Sequence, residues 1–112
     1  MSSHSAHTHD PDPAPIFAAL GDRTRLSLLM KLSDGQMRSI ANLSVDTEIT
    51  RQAVTKHLRV LESAGLVKSS RVGRESQFTL QPEPIAEIKS YLDEVSQQWD
   101  DALSRLRAFV ER

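Results

Sequence analysis

The order of apolar and polar positions between residues 50 and 65 predicts one well-defined amphipathic helix. Val54, Leu58 and Leu61 recur at spacings of four and three, which places them on one face of a helix. Thr50 belongs to the residue types that cap helix N-termini, and Gly65 is the residue type that commonly follows a helix end. The pattern therefore predicts both ends of this helix and its buried face.

The opposite face of this helix carries amide, hydroxyl and cationic side chains. At about 100° per residue, Gln52, Lys56 and Arg59 lie on it, with Thr55 at its margin. Glutamine can pair with adenine, lysine and arginine can reach guanine or phosphate, and threonine can contact a thymine methyl group. We interpret the stretch as a DNA recognition helix that begins with Thr50 and Arg51 at the duplex. An ordinary solvated surface is the alternative interpretation of this face taken alone.

The residues after Gly65 favour the DNA-binding interpretation. Residues 66–72 and 75–80 have the composition of two short strands, and Gly73 lies at the turn between them. Arg71 and Arg74 flank the tip of this hairpin. A cationic hairpin that follows a helix-turn-helix is a wing, and its tip can contact phosphates or the minor groove.

The remaining apolar spacings predict four more helices, over residues 15–20, 23–32 and 37–43 and from 83 or 84 to 110. The second of these is expected to supply Leu26, Leu29, Met30 and Leu32 to the core. The third would begin the helix-turn-helix and place Ser39 against the DNA backbone. The predicted fold is mainly α (α+β), a winged helix-turn-helix of about five helices and a two-stranded β-wing.

The last predicted helix has a near-heptad apolar stripe about 40 Å long, at a rise of about 1.5 Å per residue. So small a domain cannot cover all of it alone, so we expect a homodimer seam, with a helix folded wholly onto its own domain as the alternative. The residues assigned to the seam come from the first and last helices: Ile16, Phe17, Leu20, Ile88, Leu92, Val95, Trp99, Leu103 and Leu106.

Charge is unevenly distributed although the net charge is only −1. Residues 49–80 hold six Lys or Arg against two acidic side chains, and the segments on either side are acidic. The positive charge therefore lies on the predicted recognition helix and wing, as expected for a chain that binds double-stranded DNA. We predict one folded domain over residues 15–112, preceded by a disordered polar tail over residues 1–14.

The chain contains no cysteine, which excludes disulfides, zinc-thiolate sites and thiol-based sensing. It shows no apolar run of membrane-spanning length and no signal peptide, so we expect a cytoplasmic protein that does not enter a membrane. No nucleophile–base pair, phosphate loop or metal triad is present, so we expect neither an enzyme nor a cofactor.

The four histidines are interpreted in two groups. His4, His7 and His9 could bind a transition metal, but a flexible tail provides no preformed site, and we favour an incidental polar tail. His57 lies toward the apolar side of the predicted recognition helix. We favour a half-buried side chain bonded to backbone over a phosphate contact.

Residues 19–26 (ALGDRTRL), residues 50–67 (TRQAVTKHLRVLESAGLV) and residues 73–75 (GRE) together resemble the ArsR/SmtB family of bacterial winged-helix repressors. The resemblance covers about residues 15–110. It implies a homodimer built from the first and last helices, operator binding that blocks transcription, and often autoregulation.

The chain departs from the metal-sensing members of that family. It lacks their cysteines, and its last helix offers Asp93, Glu94, Asp100 and Asp101 but no histidine. Hard oxygen ligands suit magnesium or calcium better than zinc, so we expect no metal site. The last helix resembles the cysteine-free branch, and we assign no effector. Two alternatives remain: a winged-helix protein-interaction module without operator binding, and a metal-responsive repressor with a non-standard site.

Overall fold

The computed structural model describes residues 12–112. In this range the chain forms five helices and three strands: α1 (Ala14–Leu20), α2 (Arg23–Lys31), β1 (Arg38–Ser39), α3 (Ile40–Leu43), α4 (Arg51–Ser63), β2 (Val67–Val72), β3 (Glu75–Leu80) and α5 (Pro82–Glu111). Helix α1 begins one residue before the predicted start. Residues 1–11 of the predicted tail, with their three histidines, lie outside the described residues.

Both ends of α4 are formed as the sequence predicts. The Thr50 side chain accepts a hydrogen bond of 3.1 Å from the Ala53 N–H. At the other end Gly65 has a φ of 77°, a left-handed conformation that costs glycine little. The Gly65 N–H then donates to the Glu62 carbonyl, and the Leu66 N–H donates to the Leu61 carbonyl, both at 2.9 Å. This pair of bonds is a Schellman motif, and it turns the chain sharply into the wing.

The sheet has three antiparallel strands in the order β1-β3-β2, so the expectation of a two-stranded wing was incomplete. The additional strand β1 pairs Arg38 with Phe78 and Ser39 with Gln77. It occupies residues that we predicted to be helical, and α3 is therefore only a four-residue helix. At the wing tip Gly73 has a φ of 64° between Val72 and Glu75, the conformation that a two-residue hairpin turn requires.

The core lies between α2, α3, α4 and the sheet. Its fully buried residues are Phe78, Leu28, Leu32, Leu43, Leu58, Leu61, Leu66 and Val54. Two core assignments in α2 were wrong, because Leu26 is 46% exposed and Met30 is 72% exposed. Leu28, which we had not assigned, is buried instead, since α2 turns residues 28, 29 and 32 inward.

Helix α5 packs onto the domain only through its first turns. Ile88 is buried, whereas every later residue of the helix is exposed apart from Val95 and Ala102, which are half-buried. Ile88 and its neighbour Ile16 in α1 belong to the core of the protomer itself. Little of either side chain is left for a partner to cover, and their assignment to the seam stays a prediction. The exposed apolar residues of α5 beyond Ile88 are Tyr91, Leu92, Trp99, Leu103, Leu106, Phe109 and Val110.

Candidate nucleic-acid interface

Helix α4 presents the predicted polar face to solvent. Arg51, Gln52, Lys56 and Arg59 are exposed, whereas Val54, Leu58 and Leu61 on the other side are fully buried. The apolar stripe packs the helix against the domain. The outer side of the N-terminal half of the helix is exposed to solvent. Its geometry suits insertion into a major groove, which admits one α-helix.

Two of the predicted base-reading side chains already have partners within the protein. The Thr55 hydroxyl donates to the Arg51 carbonyl at 2.8 Å, which leaves this half-buried side chain only acceptor capacity. Arg59 Nη1 donates to Glu62 Oε1 at 2.8 Å, and its guanidinium lies 5.6 Å from the centre of the Phe78 ring. Gln52 and Lys56 are therefore better placed than Thr55 and Arg59 to reach a base.

A shallow cleft brings together three residues that we assigned to the DNA backbone from distant parts of the sequence. Ser39, Arg51 and Arg74 line it, together with Ser76 and Glu75. Ser39 caps α3 by accepting a bond of 3.1 Å from the Asn42 N–H, and a serine hydroxyl in that role can still donate its hydrogen. Two guanidinium groups and a hydroxyl donor in one cleft suit a phosphate, with Glu75 as the opposing charge.

The wing is bonded to the recognition helix on one face. Ser69 Oγ donates to Glu62 Oε2 at 2.6 Å. The bond from Ser69 and the contact with Arg59 lower the pKa of the Glu62 carboxyl below its ordinary value, so the residue stays ionised. Arg71 lies two residues after Ser69 and opposite Ser76, so it shares this face of the sheet. The fourth predicted backbone contact is thus exposed beside the cleft.

Sequence reasoning missed a polar cluster behind the recognition helix, formed by Asp22, Arg25 and His57. Arg25 Nη1 lies 3.2 Å from His57 Nδ1, and Asp22 Oδ1 lies 3.9 Å from the same nitrogen. Backbone donation from the Arg25 N–H, together with the charge of Arg25, lowers the pKa of Asp22. His57 is half-buried, as predicted, but its partner is a side chain and not backbone.

A signal for this cluster is present in the sequence. Arg25 stands at the first position of the inward stripe that continues with Leu28, Leu29 and Leu32, so an arginine occupies a core-facing position. Such a side chain must have polar partners when the helix packs. Its partner His57 is 32 residues away in sequence, and for that reason the pattern did not identify the pair.

Residues 12–112 show neither a cluster of metal-binding side chains nor a membrane-spanning helix. This part of the chain contains no group of three or more His, Cys, Asp or Glu residues that could hold a metal ion. Among the same residues, none of the helices is both long enough and apolar enough to cross a membrane.

Comparison with known proteins places this interface in a family context. Residues 22–69 match the family model described as bacterial regulatory protein, arsR family. The chain is 42% identical over 79 residues to the uncharacterized HTH-type transcriptional regulator YuzN of Bacillus subtilis, a match covering 65% of this chain and 86% of that protein. It is 33% identical over 99 residues to the HTH-type transcriptional regulator Rv2034 of Mycobacterium tuberculosis, covering 88% of this chain and 89% of that protein.

A solved structure agrees with these matches. The ArsR-like transcriptional regulator from Rhodococcus sp. RHA1 superimposes with a TM-score of 0.74 at 33% identity. The superposition covers 87% of this chain and 91% of that chain. The likeness is therefore not confined to residues 22–69, which the family model matches.

Proposed function

This chain belongs to the ArsR family of bacterial regulatory proteins and is a helix-turn-helix transcriptional regulator, and we propose that it acts as a homodimeric repressor of a pseudo-palindromic operator. Gln52 and Lys56 read base edges in this proposal, with secondary contributions from Thr55 and Arg59. Thr50, Arg51, Ser39, Arg71 and Arg74 position the domain on the phosphate backbone. Bound across promoter DNA in the cytoplasm, the dimer would exclude the transcription machinery, including at its own promoter.

The observation that carries the proposal is the continuity of the cleft with the recognition face. Arg51 lines the cleft and is followed directly by Gln52, so a phosphate in the cleft would lie at the start of the base-reading surface. Arg74 reaches the same cleft from the wing. Backbone contacts that fix register beside side chains that read bases are the arrangement that specific DNA binding needs.

Dimerisation is supported by the uncovered part of α5. Trp99, Leu103 and Leu106 are each more than half exposed and follow one another at helical spacing. Phe17 of α1 lies beside this surface, because its ring centre is 6.1 Å from that of Tyr91. Two copies related by a two-fold axis would bury these side chains and present two recognition helices to successive major grooves.

The test is binding of the purified protein to the DNA upstream of its own gene and to a scrambled duplex of equal length and composition. Both are titrated in salt, because phosphate contacts make affinity fall with ionic strength. Lys89→Ala, which removes one positive charge from exposed α5, should bind both duplexes as wild type does. We expect tighter binding to the upstream duplex, a protected inverted repeat and two protomers per site.

Other outcomes would support other functions. Equal, weak binding to both duplexes would contradict autoregulation. A wider search of the genome by immunoprecipitation would then locate an operator elsewhere or find none. A dimer that binds no DNA specifically would favour the protein-interaction module. Specific binding that depends on added divalent metal would favour a metal-responsive repressor.

A further inference from the structure

The Arg25 side chain connects three elements of the fold. It lies in the first turn of α2 and is only 17% exposed. Its Nε donates to the Ala19 carbonyl at 2.6 Å and its Nη2 donates to the Ala18 carbonyl at 3.3 Å, both at the end of α1. Its Nη1 lies 3.2 Å from Nδ1 of His57, in the middle of α4. One guanidinium therefore joins α1 to the recognition helix.

The chemistry of the two groups fixes the direction of the bond. Arginine has only donors, so His57 Nδ1 must accept, and the imidazole proton is on Nε2. Asp22 faces both groups, with its carboxylate oxygens 4.0 Å from Arg25 Nη1 and 3.9 Å from His57 Nδ1. The Asp22 charge balances that of the guanidinium, which allows an arginine to remain in a largely covered position.

The bonds of Arg25 restrict the orientation of α4, which the apolar packing of this helix does not. Val54, Leu58 and Leu61 hold the helix against the domain, but apolar contacts are non-directional and tolerate small rotations and shifts. A planar guanidinium bonded to two carbonyls and one ring nitrogen restricts both. On its other side α1 packs Phe17 against Tyr91 of α5. The Arg25 bonds thus set α4 relative to the two helices that the proposed dimer uses.

We propose that Arg25 and His57 are positioning residues for DNA recognition, which set the orientation of the recognition helix relative to α1 and α5 without themselves contacting DNA. This inference rests on the proposed dimeric operator binding. In a dimer, a small rotation of each recognition helix misaligns both half-sites at once, because the spacing of the two helices must match one turn of DNA. Loss of the bond should therefore reduce operator affinity more than affinity for random DNA.

The test uses substitutions at His57 that separate its two ring nitrogens. Asparagine places an acceptor near the position of Nδ1, glutamine places a polar group near that of Nε2, and leucine provides neither. We measure operator affinity, random-duplex affinity, the dimer dissociation constant and the unfolding midpoint for His57→Asn, His57→Gln and His57→Leu. Arg25→Lys and the double variant Arg25→Lys/His57→Leu complete a double-mutant cycle, since lysine keeps the charge but not the fork of donors.

We expect His57→Leu and Arg25→Lys each to weaken operator binding about tenfold, which corresponds to loss of about one net hydrogen bond. Random-duplex affinity and the dimer constant should stay within about twofold of wild type, given that no contact with DNA is lost. His57→Asn should recover most of the operator affinity, and the double variant should be no weaker than either single variant.

Several results would overturn the inference. If His57→Gln binds like wild type and His57→Asn does not, His57 contacts a phosphate through Nε2. Strictly additive losses would show that the two residues act separately. Operator and random affinities that fall together with the unfolding midpoint would show a role in stability alone. A wild-type protein without operator preference would overturn the proposed function as well, whereas wild-type preference with unaffected variants would overturn only this inference.

Discussion

Glu62 on the recognition helix accepts a hydrogen bond of 2.6 Å from the hydroxyl of Ser69 on the wing. The same carboxylate accepts a bond from Arg59 with its other oxygen at 2.8 Å. Glu62 therefore fixes the wing against the helix and also binds Arg59, a cation on the exposed polar side of the helix.

Removal of the wing bond should destabilise the fold modestly. Ser69→Ala deletes the donor and leaves Glu62 with one partner fewer, and we expect the free energy of unfolding to fall by about 1 kcal/mol. Urea unfolding at equal protomer concentration measures it. Ser70→Ala is the matched control, because Ser70 is exposed and its hydroxyl contacts Met37 Sδ at the long distance of 3.9 Å. Equal effects of the two substitutions would contradict the assigned role of the bond.

Neutralisation of Glu62 should strengthen DNA binding without increasing its sequence specificity. Glu62→Gln removes one negative charge near the duplex and weakens the hold on Arg59, so we expect operator and random affinities both to rise about threefold. The salt dependence should steepen, because Arg59 becomes able to contact a phosphate. Glu94→Gln, the same change on exposed α5, should leave both affinities unchanged. A rise confined to the operator would contradict this expectation and would show that the released Arg59 acts mainly in base reading.

Substitutions on the recognition helix should reduce sequence discrimination, whereas a substitution on the wing should reduce affinity for all DNA. Gln52→Ala and Lys56→Ala should each reduce the difference in binding free energy between operator and random DNA by about 1–3 kcal/mol, the range for a lost base contact. Arg71→Ala should weaken both affinities alike and lower the salt slope by about one. Salt titrations on both duplexes measure these quantities. The assignment of Gln52 and Lys56 fails if all three variants lose affinity equally on the two duplexes.

A charge in the exposed stripe of α5 should abolish dimerisation. Leu103 is 57% exposed in the protomer and lies between Trp99 and Leu106 on one face. Leu103→Asp should yield a monomer in analytical ultracentrifugation and remove cooperative operator binding, because burial of an unpaired carboxylate is costly. Ala108→Asp places the same charge nearly opposite on the helix. A dimer that survives Leu103→Asp but not Ala108→Asp would place the seam on the other face.

Acid should weaken the fold partly through Asp22. The pKa of its carboxyl is lowered from the ordinary 3.8, chiefly by the backbone N–H of Arg25 and also by the charge of Arg25. The stabilisation is therefore complete above the ordinary value and is lost as the pH falls through the lowered one. Asp22→Asn keeps an N-cap acceptor but has no charge. It should lose less stability than wild type between about pH 6 and about pH 3 in urea unfolding.

Asp34 and Glu62 also have a lowered pKa, so the acid sensitivity of Asp22→Asn should not vanish. If the variant loses as much stability as wild type over this range, the charge of Asp22 contributes nothing to the fold.

The parts of this fold that could be predicted are those specified by local sequence. The cap at Thr50, the stripe of α4 and Gly65 lie within sixteen consecutive residues, and each obeys a short-range rule. The wing strands and the glycine turn were predicted for the same reason. The fold class followed from these elements, and the comparisons confirm the family.

The parts that could not be predicted depend on distant partners. Strand β1 has only two residues, too few for a periodic pattern, and exists because β3 pairs with it. Leu26 and Leu28 are equally apolar, and only packing decided that Leu28 is the buried one. The bonds of Arg25 to His57 and of Glu62 to Ser69 join separate elements, so no local spacing reveals them.

The exposed C-terminal half of α5 has a consequence for how the regulated gene responds to the abundance of this protein. A lone helix whose apolar side faces water gains little from folding, so a second copy that covered this segment would stabilise it. For a chain that dimerises in this way, the active species grows with the square of protomer number at low abundance. Promoter occupancy then changes over a narrow span of cellular abundance, and the gene responds as a threshold. Dilution of the protein through cell growth and division would then suffice to free the promoter.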